Sequence, residues 1–276
     1  MINWLKRNVL EQELPGKYRR NNYLKMALKL LVFSFVNLTL GIVMFVTYAN
    51  IFKVVVPYKD DIVKVINLPT GKIFLYVELD FNQANLKYIK SINYDQLKGQ
   101  TTDLDLSSTE PFNKIDGKIV YPAGEVSNSY FQDKFEIENL QIVQEGIVFK
   151  EDMKRIGITG YKPGQISIPE TWTSETNKNS KPLNFEGNVS GLPVLNERFI
   201  NWINLSLFQP TKKLWGFVDV EEKGEFVLKV ESISDYKKRI VFTKNSWLGP
   251  KNYFLPVLFI VISIFCFTTA LLMFWM

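Results

Sequence analysis

The sequence of 276 residues contains no histidine and only one cysteine, Cys266. Without an imidazole base, catalysis by Ser-His-Asp or Cys-His arrangements is excluded. Cys266 lies in a long apolar segment, so the rest of the chain has neither a thiolate nucleophile nor the ligands of a Cys/His zinc site. One cysteine also excludes a disulfide within the chain, although a domain of about 200 residues can bury enough apolar surface without one.

Phosphate-binding and carboxylate motifs are scarce as well. Neither GxxxxGK[ST] nor GxGxxG occurs, so no signature of a nucleotide site is present. Adjacent acids at 151–152 and 221–222 are candidates for a paired-carboxylate mechanism by their proximity alone. Neighbouring acids of this kind are typical of a solvated surface. We therefore expect no catalytic residues, no cofactor and no bound metal.

Two long apolar segments lie near the ends of the chain. Residues 30–49 read LLVFSFVNLTLGIVMFVTYA and residues 253–276 read YFLPVLFIVISIFCFTTALLMFWM, both without a charged side chain. A helix that crosses the hydrocarbon core needs about 20 mostly apolar residues. Buried core helices are usually shorter with a polar face, and a cleaved signal peptide has a shorter apolar core. We therefore predict transmembrane helices at 30–50 and 253–276.

Charge indicates the orientation of the two predicted transmembrane helices. Residues 1–29 hold seven basic and two acidic side chains, so this segment carries the whole formal net charge of +5. Basic residues that flank a transmembrane helix stay in the cytoplasm. We therefore expect residues 1–29 and the C-terminal end in the cytoplasm, and an ectodomain at 51–252 on the exoplasmic or lumenal side. The ectodomain has no excess of basic residues, and we expect no nucleic-acid partner.

Alternation with period two predicts β-strands in the ectodomain. Residues 72–80 place their apolar side chains at Ile73, Leu75, Val77 and Leu79. Residues 225–231 alternate in the same way, and 239–243 is a further strand candidate. The strand-like segment 214–220, followed by Glu-Glu-Lys-Gly at 221–224 and then by 225–231, predicts a β-hairpin with glycine in its turn.

Helical periodicity appears in two other segments. Residues 193–208 place on one stripe Leu195, Phe199, Trp202, Ile203 and Leu207. Residues 84–98 suggest a second helix, with Gly99 as its stop. Strands and helices do not alternate regularly, which argues against a parallel α/β sheet. The predicted fold class is a membrane protein with two transmembrane helices flanking a large, mainly antiparallel β (α+β) exoplasmic ectodomain.

Four segments carry a resemblance to a known family of membrane proteins. Residues 75–99, LYVELDFNQANLKYIKSINYDQLKG, are similar to the family elements YQNHRRYVKS and QLRG. Residues 121–135, YPAGEVSNSYFQDKF, are similar to PCGxxANSxFND. Residues 197–216, ERFINWINLSLFQPTKKLWG, match an acidic residue, FIxWM, a proline and KLYG, and residues 246–254, SWLGPKNYF, are similar to SWxGGKNxFL. The candidate partner contacts on these segments are Phe81, Asn82, Gln83, Tyr88, Pro122, Gly124, Asn128, Ser129, Phe131, Trp202, Trp247, Lys251 and Asn252.

On these segments the chain resembles the CDC50/LEM3 family, the accessory (β) subunits of P4-type ATPase phospholipid flippases. The resemblance implies a non-catalytic subunit that forms a heterodimer with the ATPase and covers its exoplasmic loops, with membrane lipids as the other contact. It implies support for exit of the pump from the endoplasmic reticulum and for lipid translocation from the exoplasmic to the cytoplasmic leaflet. The implied location is the endoplasmic reticulum, the Golgi or the plasma membrane. The motif residues are expected to act first as scaffold and second as partner contacts.

The chain departs from the family pattern in three respects. Ala123 stands at the position of the motif cysteine, and the His and Arg of the NHRR element are replaced around 84–87. The other ectodomain cysteines of the family are absent, so its disulfides cannot form here. The ectodomain is still expected to fold.

Two other functions fit the same topology. A free-standing membrane-anchored receptor or adhesion protein would leave signalling to the short basic N-terminal segment. A membrane-tethered glycosidase would require two carboxyl groups about 5–10 Å apart in a cleft. The subunit interpretation is preferred to both because of the four motif segments.

Two sequons and three small residues complete the candidate sites. Asn188-Val-Ser lies in a polar loop and is the better glycan acceptor, whereas Asn204-Leu-Ser lies on the predicted helix. Small residues in transmembrane helices favour close helix packing. Gly41, Ser263 and Ala270 are therefore candidate contacts with the helices of an ATPase.

Overall fold

The structure, a computed structural model, describes residues 22–162, 164–172, 196–233 and 237–275. It divides into two compact units. The helix unit contains the two terminal helices, and the ectodomain unit comprises residues 51–250. Each unit has its own packing and is described by itself.

The helix unit consists of α1 (Tyr23–Ala49) and α7 (Phe254–Trp275), which pack against each other. Both helices are long and apolar enough to cross a membrane, by length and composition. α1 begins after Asn22, whose Oδ1 accepts a hydrogen bond of 3.2 Å from the Lys25 amide. Hydropathy predicted a start at residue 30. The side-chain cap at Asn22 instead places the N-terminus of the helix at Tyr23.

Small residues of α1 and α7 pack against each other within the chain. A Cβ atom on Gly41 would lie 2.8 Å from Cγ1 of Ile260. The hydroxyls of Ser34 and Ser263 lie 3.0 Å apart, and each can donate to the other residue's carbonyl oxygen at 2.9 Å. Ala270 is fully buried in the same unit. The prediction that Gly41, Ser263 and Ala270 contact an ATPase is therefore wrong, because this chain covers them itself.

The ectodomain unit is built on three β-sheets. The first is antiparallel and contains, in spatial order, β1 (Lys53–Tyr58), β10 (Lys238–Thr243), β3 (Gly71–Leu79) and β8 (Thr211–Val220). The second is also antiparallel and contains, in spatial order, β2 (Ile62–Leu68), β9 (Gly224–Glu231) and β6 (Lys134–Ile137). The third is small and contains, in spatial order, β4 (Lys114–Ile115), β5 (Lys118–Val120) and β7 (Ile166–Ser167). Only β5 and β7 pair in parallel among the described strands, so the predicted mainly antiparallel class is confirmed.

The strands predicted from alternation are present. All four apolar side chains predicted for one face of β3 are buried. In β9, Leu228 and Val230 are buried, while Lys229 between them is exposed. β10 confirms the strand predicted at 239–243. Alternation therefore identified both the strands and their inward faces.

The hairpin predicted over residues 214–231 is wrong. β8 pairs with β3 and β9 pairs with β2, so the two segments belong to different sheets. Gly71 pairs with Val220 at the ends of their strands in the first sheet, and Leu68 pairs with Gly224 at the ends of theirs in the second. The pairing of the two segments therefore continues from one sheet into the other. Residues 221–223 thus form a corner between two sheets and not a reversal of the chain. We call the paired segments 62–79 and 211–231 the bent ribbon.

The helix predicted at 84–98 is two short helices, α2 (Leu86–Ile89) and α3 (Tyr94–Leu97). Asn93 separates them because its Oδ1 accepts a hydrogen bond of 2.8 Å from the Gln96 amide and so caps a new helix. Leu86 and Ile89, whose helical spacing led to this prediction, are exposed in α2. The stop at glycine is confirmed, since Gly99 follows the second helix with a φ of +106°.

The helix predicted at 193–208 is also shorter than expected. α6 covers Glu197–Ile203, and the predicted stripe residues within it are buried. Leu207 lies beyond the end of the helix and is exposed, and Leu195 lies outside the described residues. The remaining short elements are α4 (Glu125–Asn128), α5 (Lys150–Met153) and the 3₁₀ turns Ser107–Thr109 and Glu170–Trp172.

Candidate functional site

The first two motif segments are tied together by the side chain of Gln96. This side chain is fully buried in α3; its Nε2 donates to the Val120 carbonyl at 2.9 Å, and its Oε1 accepts from the Ala123 amide at 2.9 Å. Ala123 is the position that carries a cysteine in the family motif. A non-covalent tie therefore holds the segment in which the disulfide partner is missing.

Gly124 is required by both its conformation and its surroundings. Its φ is +108°, and a Cβ atom at this position would collide with the carbonyl oxygen of Ser91. The Ser91 hydroxyl accepts a hydrogen bond of 2.5 Å from the Glu125 amide, which starts α4. The glycine thus allows the second motif segment to lie directly against the first.

Three of the predicted contacts, Phe81, Tyr88 and Trp202, lie in an aromatic core. The ring of Phe81 stacks on Tyr88 at 5.7 Å and meets Trp202 edge-on at 6.1 Å. The indole Nε1 of Trp202 donates to the Val126 carbonyl at 2.7 Å. These residues join the first, second and third motif segments, so their place is in the scaffold.

The second motif segment is held from its other side by Trp172 and Thr171. The indole Nε1 of Trp172 donates to the Ser127 carbonyl at 2.9 Å, and the Thr171 hydroxyl donates to the Asn128 carbonyl. The Ser129 hydroxyl donates back to the Val126 carbonyl at 3.3 Å. Asn128 and Ser129 are half-buried and serve the local structure of α4.

Four further predicted contacts differ in exposure. Pro122 is buried, and Phe131 is buried against Trp215 at 5.4 Å. Gln83 is fully buried, whereas Asn82 is exposed and its Oδ1 accepts from the Ala84 amide at 2.8 Å. Only Asn82 of these four offers its side chain to a partner.

A buried ion pair joins Asp133 of the second motif segment to Lys238 of β10. Both side chains have no exposed surface, and Lys238 Nζ lies 2.6 Å from Asp133 Oδ2. The hydroxyl of Tyr58 donates to Asp133 Oδ2 at 2.8 Å, and the Ile233 amide donates to Oδ1 at 2.8 Å. Burial, followed by the charge of Asp133, raises the pKa of Tyr58. Sequence reasoning missed Lys238, since a lysine in a strand is usually solvated.

Arg198 is a half-buried cation that sequence reasoning also missed. Its Cζ lies 3.2 Å from the centroid of the Trp215 ring, and its Nη1 donates to Gln144 Oε1 at 3.4 Å. Burial lowers the pKa of the Arg198 guanidinium, and the neighbouring Tyr130 opposes this change. The stacking places a motif arginine in the scaffold of the ectodomain.

The fourth motif segment falls into both units. In the ectodomain unit, Trp247 is 79% exposed within a turn closed by hydrogen bonds of 3.0 and 2.9 Å between Ser246 and Gly249. In the helix unit, Asn252 Oδ1 accepts from the Phe254 amide at 2.9 Å and caps α7. Lys251 Nζ lies 5.3 Å from the centroid of the Tyr253 ring. Trp247, Lys251 and Asn252 are therefore outside the aromatic core.

One of the two sequons and both pairs of adjacent acids lie within the described residues. Asn188 lies outside the described residues. Asn204 is the half-buried C-cap of α6, and its Nδ2 donates to Asp152 Oδ2 at 2.9 Å. Asp152 also pairs with Arg155 at 3.6 Å. Across the described residues, no group of three or more His, Cys, Asp or Glu side chains could hold a metal ion.

Comparison with known proteins identifies relatives of this chain. The profile of the LEM3 (ligand-effect modulator 3) family / CDC50 family matches residues 62–276. The chain is 28% identical over 228 residues to "Phospholipid-transporting ATPase accessory subunit LEM3" of Saccharomyces cerevisiae, covering 73% of this chain and 53% of the relative. It is 24% identical over 219 residues to "ALA-interacting subunit 3" of Arabidopsis thaliana, covering 72% and 58%. It is 25% identical over 225 residues to "Cell cycle control protein 50A" of Rattus norvegicus, covering 70% and 67%.

The chain thus spans between about half and two thirds of the length of these curated relatives. The matched region includes the bent ribbon, the Gln96 tie, the aromatic core and α7. Accessory subunits of this family are non-catalytic. From its motif segments, its fold and the extent of the match, this chain belongs to the LEM3/CDC50 family and is a membrane protein of that family.

Proposed function

We propose that this chain is the non-catalytic accessory subunit of a P4-type ATPase phospholipid flippase. The observation that carries the proposal is the family match over residues 62–276, together with the packing of three motif segments into one core. ATP hydrolysis and lipid movement from the exoplasmic to the cytoplasmic leaflet stay with the ATPase. This chain forms a heterodimer with the enzyme and supports its exit from the endoplasmic reticulum.

The proposed topology has two transmembrane helices and cytoplasmic termini. Residues 1–29 are cytoplasmic, 30–50 and 253–276 cross the membrane, and 51–252 form the exoplasmic or lumenal ectodomain. The basic excess in 1–29 supports this orientation. The proposed location is the endoplasmic reticulum, the Golgi or the plasma membrane.

The motif residues divide into two roles in this proposal. Those in the core, such as Phe81, Gly124 and Trp202, hold the ectodomain in the shape that the ATPase recognises. The exposed candidate contacts, Asn82, Trp247 and Asn252, are available to touch the enzyme or lipid. An obligate complex of this kind is expected to bury more than about 2,000 Å² in total.

The test is purification of the tagged full-length chain in mild detergent from its own cells, followed by mass spectrometry. A P-type ATPase recovered near one-to-one is the expected result. A tagged two-helix membrane protein of another family serves as the control for detergent carry-over. Reproducible absence of the ATPase, with the chain intact and folded, would favour a free-standing receptor or adhesion protein.

Glycosylation gives a second check of the exoplasmic assignment. We propose Asn188 as the acceptor, because the Nδ2 of Asn204 is already bonded to Asp152 in the folded ectodomain. In a host that glycosylates sequons, Asn188→Gln should abolish the gel shift produced by an N-glycosidase, and Asn204→Gln should leave it unchanged. If the wild-type chain shows no gel shift, the proposal that Asn188 carries a glycan is wrong. If Asn204→Gln shows a smaller shift than wild type, Asn204 is modified.

A further inference from the structure

Two segments, Phe149 with α5 and the loop that follows α6, hold large apolar side chains in solvent. The exposed fraction is 79% for Phe149, 40% for Met153, 73% for Leu207 and 82% for Phe208. We call these four residues the apolar rim. Soluble surfaces rarely keep several large apolar side chains exposed close together unless the surface binds something.

The loop before Phe149 is fixed by the first residue of α6. The carboxylate of Glu197 accepts hydrogen bonds from three consecutive amides, those of Gly146 at 3.0 Å, Ile147 at 2.7 Å and Val148 at 3.2 Å. A carboxylate bound by several amides is a strong, charge-assisted anchor. Phe149 follows this anchored stretch directly, so its backbone is held in place while its ring is exposed.

The C-terminal end of α6 connects the two segments of the rim. Asn204 Nδ2 donates to Asp152 Oδ2 at 2.9 Å. This bond links the segment before Leu207 to α5, the helix that follows Phe149. The Ser206 amide donates to the Oε1 of the buried Gln83 at 3.0 Å, which ties the same segment to the first motif segment. The backbone beneath the rim is thus ordered before any partner arrives, and binding costs less conformational entropy.

The charges beside the rim have a small basic excess. Residues 150–155 hold three basic side chains, Lys150, Lys154 and Arg155, and two acidic ones, Glu151 and Asp152, so their net charge is +1. Arg155 pairs with Asp152 at 3.6 Å, which leaves Lys150 and Lys154 as the exposed cations that pair with no acid of this segment. A partner segment that complements this surface combines apolar side chains with acidic ones.

We propose that the apolar rim, with its basic border, is the docking surface for an apolar and acidic exoplasmic loop of the partner ATPase. The proposal rests on the proposed function, since it takes the ATPase as the partner. It adds a surface that lies outside the candidate contacts chosen from the motifs. Aromatic side chains that enter a pocket on the partner carry most of the binding free energy in such interfaces.

The test uses the full-length chain and the ATPase, co-purified in mild detergent. The double variant Phe149→Ser/Phe208→Ser should lower ATPase recovery by about tenfold or more. Lys150→Glu/Lys154→Glu should lower it by about threefold, because these charges lie at the border of the surface. The matched control is Val63→Ser/Lys64→Glu on β2, whose side chains are also exposed, and recovery should stay at the wild-type value.

A photo-crosslinking amino acid at position 208, compared with one at position 63, identifies what the rim touches. A crosslink to an exoplasmic loop of the ATPase at 208 alone would support the proposal. Crosslinks only to lipid, or ATPase recovery unchanged in the Phe149→Ser/Phe208→Ser variant, would overturn it even though the subunit function stands. A rim variant that elutes or melts unlike wild type is replaced by Phe208→Ser alone, with the same criterion. If wild type itself recovers no ATPase, the proposed function fails, and the rim proposal fails with it.

Discussion

The helix unit and the ectodomain unit both bury polar side chains, but they use different chemistry. Between α1 and α7 the buried pair is neutral, with Ser34 and Ser263 exchanging hydrogen bonds of 2.9 Å. In the ectodomain it is ionic, with Asp133 and Lys238 in contact at 2.6 Å. An ion is costly in an apolar environment, whereas a hydroxyl can bond to a neighbouring helix at small cost.

This difference shows which contacts determine the specific packing of each unit. The helix pair depends on a few close approaches, such as Gly41 against Ile260. The ectodomain surrounds the buried Asp133 carboxylate with three donors, from Tyr58, Ile233 and Lys238, so that removing one leaves this buried charge incompletely bonded. Loss of one partner should therefore cost more in the ectodomain than in the helix pair.

The largest expected effect is in the buried ion pair. Lys238→Met removes the cation and leaves the buried Asp133 carboxylate without its counterion, which should lower the free energy of unfolding by about 3–5 kcal/mol. Thermal unfolding of the purified chain in detergent measures the change. Arg239→Met, at the exposed neighbouring position, is the control. Equal stability of Lys238→Met and wild type would mean that the ionic contact is not needed.

The tie at Gln96 is the neutral counterpart within the ectodomain. Gln96→Leu leaves the Ala123 amide and the Val120 carbonyl buried without their partner, at an expected cost of about 2–4 kcal/mol. Gln100→Leu changes an exposed glutamine nearby and should cost little. The same unfolding measurement compares the two, and similar losses in both would contradict the tie.

A pH dependence should separate the ectodomain from the helix pair. Burial lowers the pKa of Lys213 to about 7, while an unfolded lysine keeps a pKa of about 10.4. Between these values the unfolded chain binds more protons, so the free energy of unfolding should rise with pH by about 1 kcal/mol per pH unit. Unfolding from pH 7 to 9 in wild type and Lys213→Met tests this. Identical slopes of unfolding free energy against pH in wild type and Lys213→Met would contradict this prediction. The Ser34–Ser263 pair is neutral and adds nothing to the slope.

The smallest expected effect is in the helix pair itself. Ser34→Ala or Ser263→Ala should weaken the helix contact by about 0.6 kcal/mol, the usual size of a hydrogen bond between membrane helices. Thr39→Ala is the control, because the Thr39 hydroxyl donates to the Phe35 carbonyl of its own helix at 2.9 Å. A double-mutant cycle on the thermal stability of the helix unit gives the coupling. A coupling as large as that of the ion pair would remove the contrast between the units.

Local patterns were sufficient for the terminal helices and for β3, because hydropathy and alternation report burial within one segment. They failed at 221–224, since a glycine-containing corner and a hairpin turn have the same local composition. Only the distant partner strands β2 and β3 decide between them. Lys238 and the apolar rim were missed for a similar reason. Their burial or exposure depends on what other segments bring to them.

The bent ribbon has a consequence for the order in which the ectodomain is made. Ile62 pairs with Val230 and Leu79 with Thr211, so the early strands have no partners until most of the chain has been synthesised. β1 waits longer still, because its partner β10 follows the ribbon. Pairings of such long sequence separation form slowly and leave strand edges open in the meantime. The early strands of the nascent chain therefore stay unpaired until shortly before its last helix is synthesised.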